Sequence, residues 1–262
     1  MIANYHTHTF RCNHAYEEEW KYVENAIEGG LKILGFADHS PQVFPQGYVS
    51  PIRMTPDQLP DYIKAISDLK KRYEGKIEIH CGLEAEYYPA LFPRLLELLQ
   101  EHPGVEYLIL GQHFADNEYE EYRMFNRPYA GDQEQNLAKY VDQVIAGIQT
   151  GKFLYVAHPD VCCYEGDLDA YRKHMRRLCQ AANAYHLPVE INAQGPRFTG
   201  FYPFAPFWEV AAEEGCVALY GSDAHRPQFT CDPASNEKLE AVAKACGIKI
   251  IDTIEIKKED WK

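Results

Sequence analysis

The chain of 262 residues contains no apolar run approaching the roughly 18 residues that a membrane span requires, and residues 1–15 lack the apolar core of a secretory leader. Both absences point to the cytosol. No basic stripe offsets the formal net charge of -13, which argues against a general binder of nucleic acid or anionic membrane and leaves room only for a small local anion site. None of the eight cysteines forms a CxxC pair, and Cys81, Cys179, Cys216 and Cys246 sit in apolar contexts, so reduced thiols are expected. Low-complexity tracts, internal repeats and Pro/Gly/Ser linkers are also missing, and a single domain over 1–262 is expected.

What is present is a rhythm. With 46% hydrophobic residues the chain has ample material for one large core. Short apolar runs at 4–8, 32–39, 77–87, 105–113, 152–160, 187–195 and 217–225 alternate with helical patterns near 16–28, 56–73, 90–101, 133–149, 167–185, 204–214 and 235–246. Seven β-α units imply a parallel sheet, and continuous apolar runs imply strands covered on both faces. The tail from 248 reads as a further edge strand, the proline-punctuated segment 40–56 as a lid or a packed surface loop, and the aromatic-rich segment 116–129 as a pocket wall.

Polar residues choose between a barrel and an open sheet. His6, His8, His39, Glu84, His113, His158, Asn192, Asp223 and His225 all fall at or near the C-terminal ends of their runs, which converge on one face in a barrel and are spread too widely in an open sheet. His6 and His8, two apart on an extended segment, point the same way and form a chelating pair. Seven of the eleven histidines (His6, His8, His14, His39, His113, His158 and His225) sit at strand ends or in the loops that follow. Imidazole with occasional carboxylate suits zinc, iron or manganese, and with Glu84 and Asp223 the nine candidate ligands exceed what one ion uses, so two or three metals are implied. Glu86 faces the same way as Glu84 and is its rival. One of Cys162 and Cys163 is a weaker candidate ligand. Asp38 and Asp160 read either as acceptors that orient imidazoles or as caps. His80, His102, His174 and His186 read as structural.

These residues resemble the motifs of the polymerase and histidinol phosphatase (PHP) family of metal-dependent phosphoesterases. "HTHTFRCNH", "ADH", "GLE" with "GQH", "AHPD" and "GSDAH" match in order across the chain, and residues 53–89 with "EINAQGPRF" look most like the histidinol-phosphate phosphatases within it. The resemblance implies a distorted (β/α)7 barrel and metal ligation by His6, His8, His14, His39, Glu84, His113, His158, Asp223 and His225, with Glu84 bridging. It also implies phosphate contact by Arg197, with His39 either a ligand or a phosphate contact, and a leaving-group proton from Asp223 or His225. Arg11 is the nearest competitor for the phosphate and Arg127 a more remote one. Gln112 stands where a serine is common, and "NAQGPR" departs from a commoner threonine-bearing version.

The implied chemistry is hydrolysis of a small phosphate ester, histidinol phosphate first, by a hydroxide bridging divalent cations. Glu118, Glu120 or Glu121 would receive the cationic end of that substrate unless they form a solvated loop face. The alternatives are a PHP phosphoesterase for a nucleotide or sugar phosphate, and a metal-storage or regulatory module without turnover. No nucleic-acid or membrane partner is expected.

Overall fold

The protein is described by a computed structural model covering residues 1–257 and 261. Strands β1 (Ala3–Asn4), β2 (Ile33–His39), β3 (Glu78–Ala85) and β4 (Tyr107–Leu110) pair in sequence order, all parallel. A second parallel set comprises β5 (Val189–Asn192), β6 (Val217–Gly221) and β7 (Lys249–Ile250). Between them run α1 (Glu19–Glu28), α2 (Leu59–Arg72), α3 (Phe92–Glu101), α4 (Gln133–Ile148), α5 (Leu168–Ala184), α6 (Ala205–Glu213) and α7 (Pro233–Cys246). No helix among the described residues is long and apolar enough to cross a membrane.

The helices follow from local chemistry. In α4, Leu137, Tyr140, Val141, Val144 and Ile148 are buried at the spacing of a single helical face. Asp132 opens that helix by accepting a hydrogen bond from Gln135 N, and Asp167 and Asp232 open α5 and α7 in the same manner.

The expected run at 152–160 does not form a strand of its own. It contributes single parallel bridges from Val156 to Leu110 on one side and to Val189 on the other. The backbone is nonetheless satisfied on both flanks, because Leu154 N and Ala157 N donate to Leu108 O and Leu110 O while Glu190 N donates to Val156 O. His158 then takes φ 29°, which ends the extended run. The first histidine pair behaves similarly: Thr7 bridges Ala224, and His8 N donates to Ala224 O at 3.0 Å. The result is a curled parallel sheet with helices outside. The tail supplies β7 at the edge beside β6, while residues 258–260 and 262 of that predicted strand lie outside the described residues.

Alternation along each strand divides two cores. Leu108 and Leu110 of β4 pack with the helices, whereas Tyr107 and Ile109 join Tyr5, Ala37, Tyr155 and Leu219 within the curl. The Tyr107 hydroxyl donates to Tyr5 O at 2.7 Å, and its ring lies where a side chain at Gly82 or Gly35 would stand. Glycine is therefore required by close approach at both positions. Gly82→Ala is expected to overpack this inner layer and cost roughly 1–3 kcal/mol. Denaturant unfolding checks it: wild-type stability in Gly82→Ala would mean that the Tyr107 ring has free room.

Candidate metal centre

Each expected ligand is carried to the same end of the curl. His39 and Glu84 are register partners at the ends of β2 and β3, and His113 follows β4 by three residues. His158 ends the bridging segment, and Asp223 and His225 follow β6. His158 and Asp223 hold φ 29° and 47°, left-handed values that cost residues other than glycine about 1–3 kcal/mol each and that turn these side chains inward.

Glu84 is the hub. Its two oxygens stand 2.7 Å from His158 Nε2, 3.0 Å from His39 Nδ1, 3.5 Å from His113 Nε2, 3.6 Å from His6 Nε2 and 3.7 Å from His8 Nε2. Asp223 Oδ1 lies 3.2 Å from His8 Nε2 and 3.8 Å from His6 Nε2. The rings of His14 and His225 stack at 4.6 Å, with their Nε2 atoms 3.0 Å apart. All nine expected ligands are thus brought together.

The outer nitrogens explain why the inner ones converge. His6 Nδ1 meets Glu190 Oε1 at 2.9 Å, His8 Nδ1 meets Asp38 at 3.3 Å, and His113 Nδ1 meets Glu86 at 3.1 Å. His14 Nδ1 reaches Cys12 O at 2.7 Å, and His225 Nδ1 reaches Asp223 O at 3.3 Å. An acceptor behind Nδ1 fixes the tautomer and leaves Nε2 as a lone pair aimed inward. Four inward atoms, His6 Nε2, His39 Nδ1, Glu84 Oε2 and Asp223 Oδ1, are buried without a hydrogen-bond partner. Donors at about 2.0–2.1 Å from a tetrahedral ion stand roughly 3.4 Å from each other, and the spacings above scatter about that value. Trios such as His6/His8/Asp223, His6/Glu84/His158 and His8/His39/His225 each offer donor atoms within 4.8 Å of one another. The donor set fits divalent cations.

Electrostatics grade the site. Burial works against a charged His6, but the Glu190, Asp223 and Glu84 carboxylates outweigh it and lift His6 to about 10. Burial and neighbouring imidazoles push His14 down to about 3 and His39 to about 4, the neutral form that ligates. The surrounding imidazoles overcome burial at Glu84 and Asp223, whose carboxyls are held well below the usual range.

Several side chains depart from expectation. Glu86 is no bridge: Arg53 grips it at 2.8 and 3.0 Å, and Arg53 also binds Glu118. Glu118 is therefore buried and committed, neither a solvated face nor a free acid for a substrate, whereas Glu120 and Glu121 are exposed. Arg53 ties segment 40–56 down as a packed loop whose Ile52 reaches the cavity. Asp38 orients an imidazole, but Asp160 instead accepts from Phe204 N at 2.7 Å and Trp208 Nε1 at 2.9 Å. Gln112 braces the turn before His113 through Tyr87 N and Phe114 O. Every thiol is free, and Cys12 joins His14 and His225 in a trio of donor atoms within 4.8 Å of one another.

The arginines are rearranged too. Arg11 is turned away, its guanidinium consumed by Asp61 at 2.6 Å and by Glu19. Arg197 donates to Ser222 O, lies 3.5 Å from Asp232 and covers the Phe229 ring, leaving Nη1 buried without a partner. Above the centre lies a cavity of about 230 Å³ whose floor is His14, His39, Glu84, His113, His158, Asp223 and His225. Its wall includes Tyr122, Met124, Asn126 and Arg127 from the segment expected to form it.

A family model, the PHP domain, matches residues 4–194. The chain belongs to the PHP domain family. A Bacillus subtilis (strain 168) protein named histidinol-phosphatase is 31% identical over 249 residues, covering 84% of this chain and 92% of that one. A Deinococcus radiodurans protein named "Probable histidinol-phosphatase" is 26% identical over 240 residues, 86% of this chain and 87% of its own. The fold matches a crystal structure of Lactococcus lactis histidinol phosphate phosphatase complexed with zinc, L-histidinol and phosphate, with a TM-score of 0.75, 21% identity and 99% of each chain covered.

Within this PHP domain, Glu190 is the residue that reading the sequence missed. It is fully buried, bonds His6 Nδ1 and His158 N, and receives Asn192 Nδ2 at 2.9 Å. An acid inside the apolar run "LPVEIN", two before an asparagine on the same face, was the available signal. Glu190→Gln is expected to weaken metal affinity about 10- to 100-fold through loss of imidazole orientation. Competition against a chelator measures it, and an unchanged affinity would reduce Glu190 to a packing residue.

Proposed function

We propose that the chain is a metal-dependent phosphomonoesterase that converts histidinol phosphate to histidinol and phosphate. The observation that carries this reading is the convergence of seven imidazoles and two carboxylates, with buried unpartnered donors, of which five imidazoles and both carboxylates floor a small cavity. The 31% identity to a protein named histidinol-phosphatase selects the substrate. In this reading residues 1–262 act as one domain and the curl closes as a (β/α)7 barrel, through the Thr7–Ala224 and Val156 bridges.

His6, His8 and Asp223, a trio within 4.8 Å, would hold one cation; Glu84 with His113 and His158, at 3.5 and 2.7 Å from its Oε1, would hold a second, and His14 with His225 and His39 a third, giving two to three ions of zinc, iron or manganese. Such ions supply a water ionised at neutral pH and neutralise phosphate oxygens. The chain's own residues do the rest. Glu84 spans the first two groups, and Asp38, Glu86 and Glu190 hold the imidazoles in the ligating tautomer. Arg197, braced by Ser222 O and Asp232, does not line the cavity, and its buried, unpartnered Nη1 would meet a phosphate oxygen only after the side chain shifts toward it. For the proton that the departing alkoxide needs, Asp223 is held ionised and burial with the neighbouring His8 charge holds His225 below the usual imidazole range, so either side chain would donate only when released from ligation.

Elemental analysis of gently purified protein is expected to give two to three transition-metal equivalents per chain. Chelation is expected to abolish hydrolysis of histidinol phosphate, and zinc, iron or manganese to restore it. Full activity in demonstrably metal-free protein, or one equivalent at most after reconstitution, would sink the proposal. A panel of other phosphomonoesters tested alongside decides whether histidinol phosphate is the preferred substrate.

A further inference from the structure

The cavity wall carries one arginine among the described residues, and it is Arg127. We infer that Arg127 is a substrate-phosphate clamp, reaching from the cavity mouth to the phosphoryl group held over the metal floor; the inference rests on the phosphomonoesterase reading above.

Position is the first argument. Segment 116–129 is pinned to the centre by its backbone: Phe114 bridges Met124, Phe125 N donates to His113 O at 2.7 Å, and Cys163 N donates to Phe125 O at 2.8 Å. Asn126 and Arg127 therefore leave the chain directly beside an expected ligand and line the cavity that the imidazoles floor. Arg127 is an exposed residue, as one that meets a diffusing anion must be.

The second argument is the missing counter-charge. The chain has 39 acidic residues against 26 basic ones, so carboxylates are plentiful. Arg11 takes Glu19 and Asp61, and Arg53 takes Glu86 and Glu118. Arg197 has Asp232 at 3.5 Å, and Arg123, on the same segment, reaches Asn136 and covers the Tyr129 ring. Arg127 has no ion pair or hydrogen bond among the described residues. A lone cation facing a floor built for divalent cations is repelled by a loaded site unless an anion lies between them. A phosphate dianion satisfies both sides, and a guanidinium fork suits its oxygens.

The leaving group points the same way. Histidinol carries an ammonium, and a guanidinium opposite it would disfavour binding, so Arg127 must address the phosphoryl end of that substrate. Arg127 is then the arginine that the cavity itself offers the phosphate, while Arg197 is held on Ser222 O just after β6, outside the cavity lining.

The test uses metal-loaded wild type, Arg127→Ala and Arg127→Lys, with p-nitrophenyl phosphate hydrolysis as the reporter. Inorganic phosphate and L-histidinol are each measured as inhibitors, inorganic phosphate binding is also titrated calorimetrically, and metal content is checked in every sample. For Arg127→Ala the expected result is a loss of phosphate affinity of about 10- to 100-fold in both measurements, with histidinol inhibition and metal content unchanged, and partial recovery in Arg127→Lys. Phosphate affinity within twofold of wild type overturns the clamp. So does a change in histidinol inhibition alone, which would place the guanidinium against the leaving group, and so does a loss of metal, which would make Arg127 structural. If the enzyme spares histidinol phosphate but cleaves the reporter, the substrate reading fails while the phosphate titration still decides the role of Arg127.

Discussion

The whole site depends on one buried charge. Glu84 is an ionised carboxylate with essentially no access to water, and leaving it there uncompensated would be prohibitively costly. Five imidazoles within 3.7 Å meet that demand, and their own outer nitrogens need acceptors in turn. The fold supplies them as a second tier of buried carboxylates, Asp38, Glu86 and Glu190, each behind one imidazole. Glu86 is then balanced by Arg53, which is also where Glu118 finds its partner. Even the backbone yields to Glu84: a β-carbon at Gly111 would overlap its Oε1, so the residue after β4 must be glycine. Charge therefore alternates outward in shells, and each shell exists because the one inside it is buried.

How much of this was legible in the sequence divides along the same shells. The inner tier was readable because strand ends are local features: His39, Glu84, His113, His158 and Asp223 each close an apolar run, and His6 and His8 obey the two-residue period. The seven helices were readable from apolar periodicity for the same reason. The outer tier was not. Glu190 contacts His6 across 184 positions, and although its place in an apolar run marks it as unusual, nothing local names its partner. Glu118 sits in an acidic, aromatic stretch that reads as a solvated loop, yet it is buried because Arg53, 65 positions earlier, fills the space beneath it. Asp38 and Asp160 look alike in sequence, each adjoining a strand end. Only the neighbour separates them, an imidazole for one and the Phe204 and Trp208 N–H groups for the other. The run at 152–160 has a strand's composition, but its pairing shrinks to single bridges before His158 turns the chain inward.

The arginines show why residue type alone misleads in an acidic chain. Arg11 lies within the motif that carries His6, His8 and His14, so proximity in sequence recommends it for the phosphate. In space its neighbours are Glu19 at the start of α1 and Asp61 in α2, and an arginine already engaged by two carboxylates has little to offer a third anion. Arg197 follows β5 and is held half-satisfied, with one nitrogen on Ser222 O and another left bare. Arg127, distant from every motif, keeps its full charge. Capacity to bind an anion is thus set by which guanidiniums the surrounding carboxylates have left unclaimed. In a protein of net charge -13, an unclaimed guanidinium on a cavity wall is the exception that calls for a physical cause. The cations expected below it provide one, since they favour an anion at the same place, while the nearest carboxylates, Glu84 and Asp223, face the imidazoles instead.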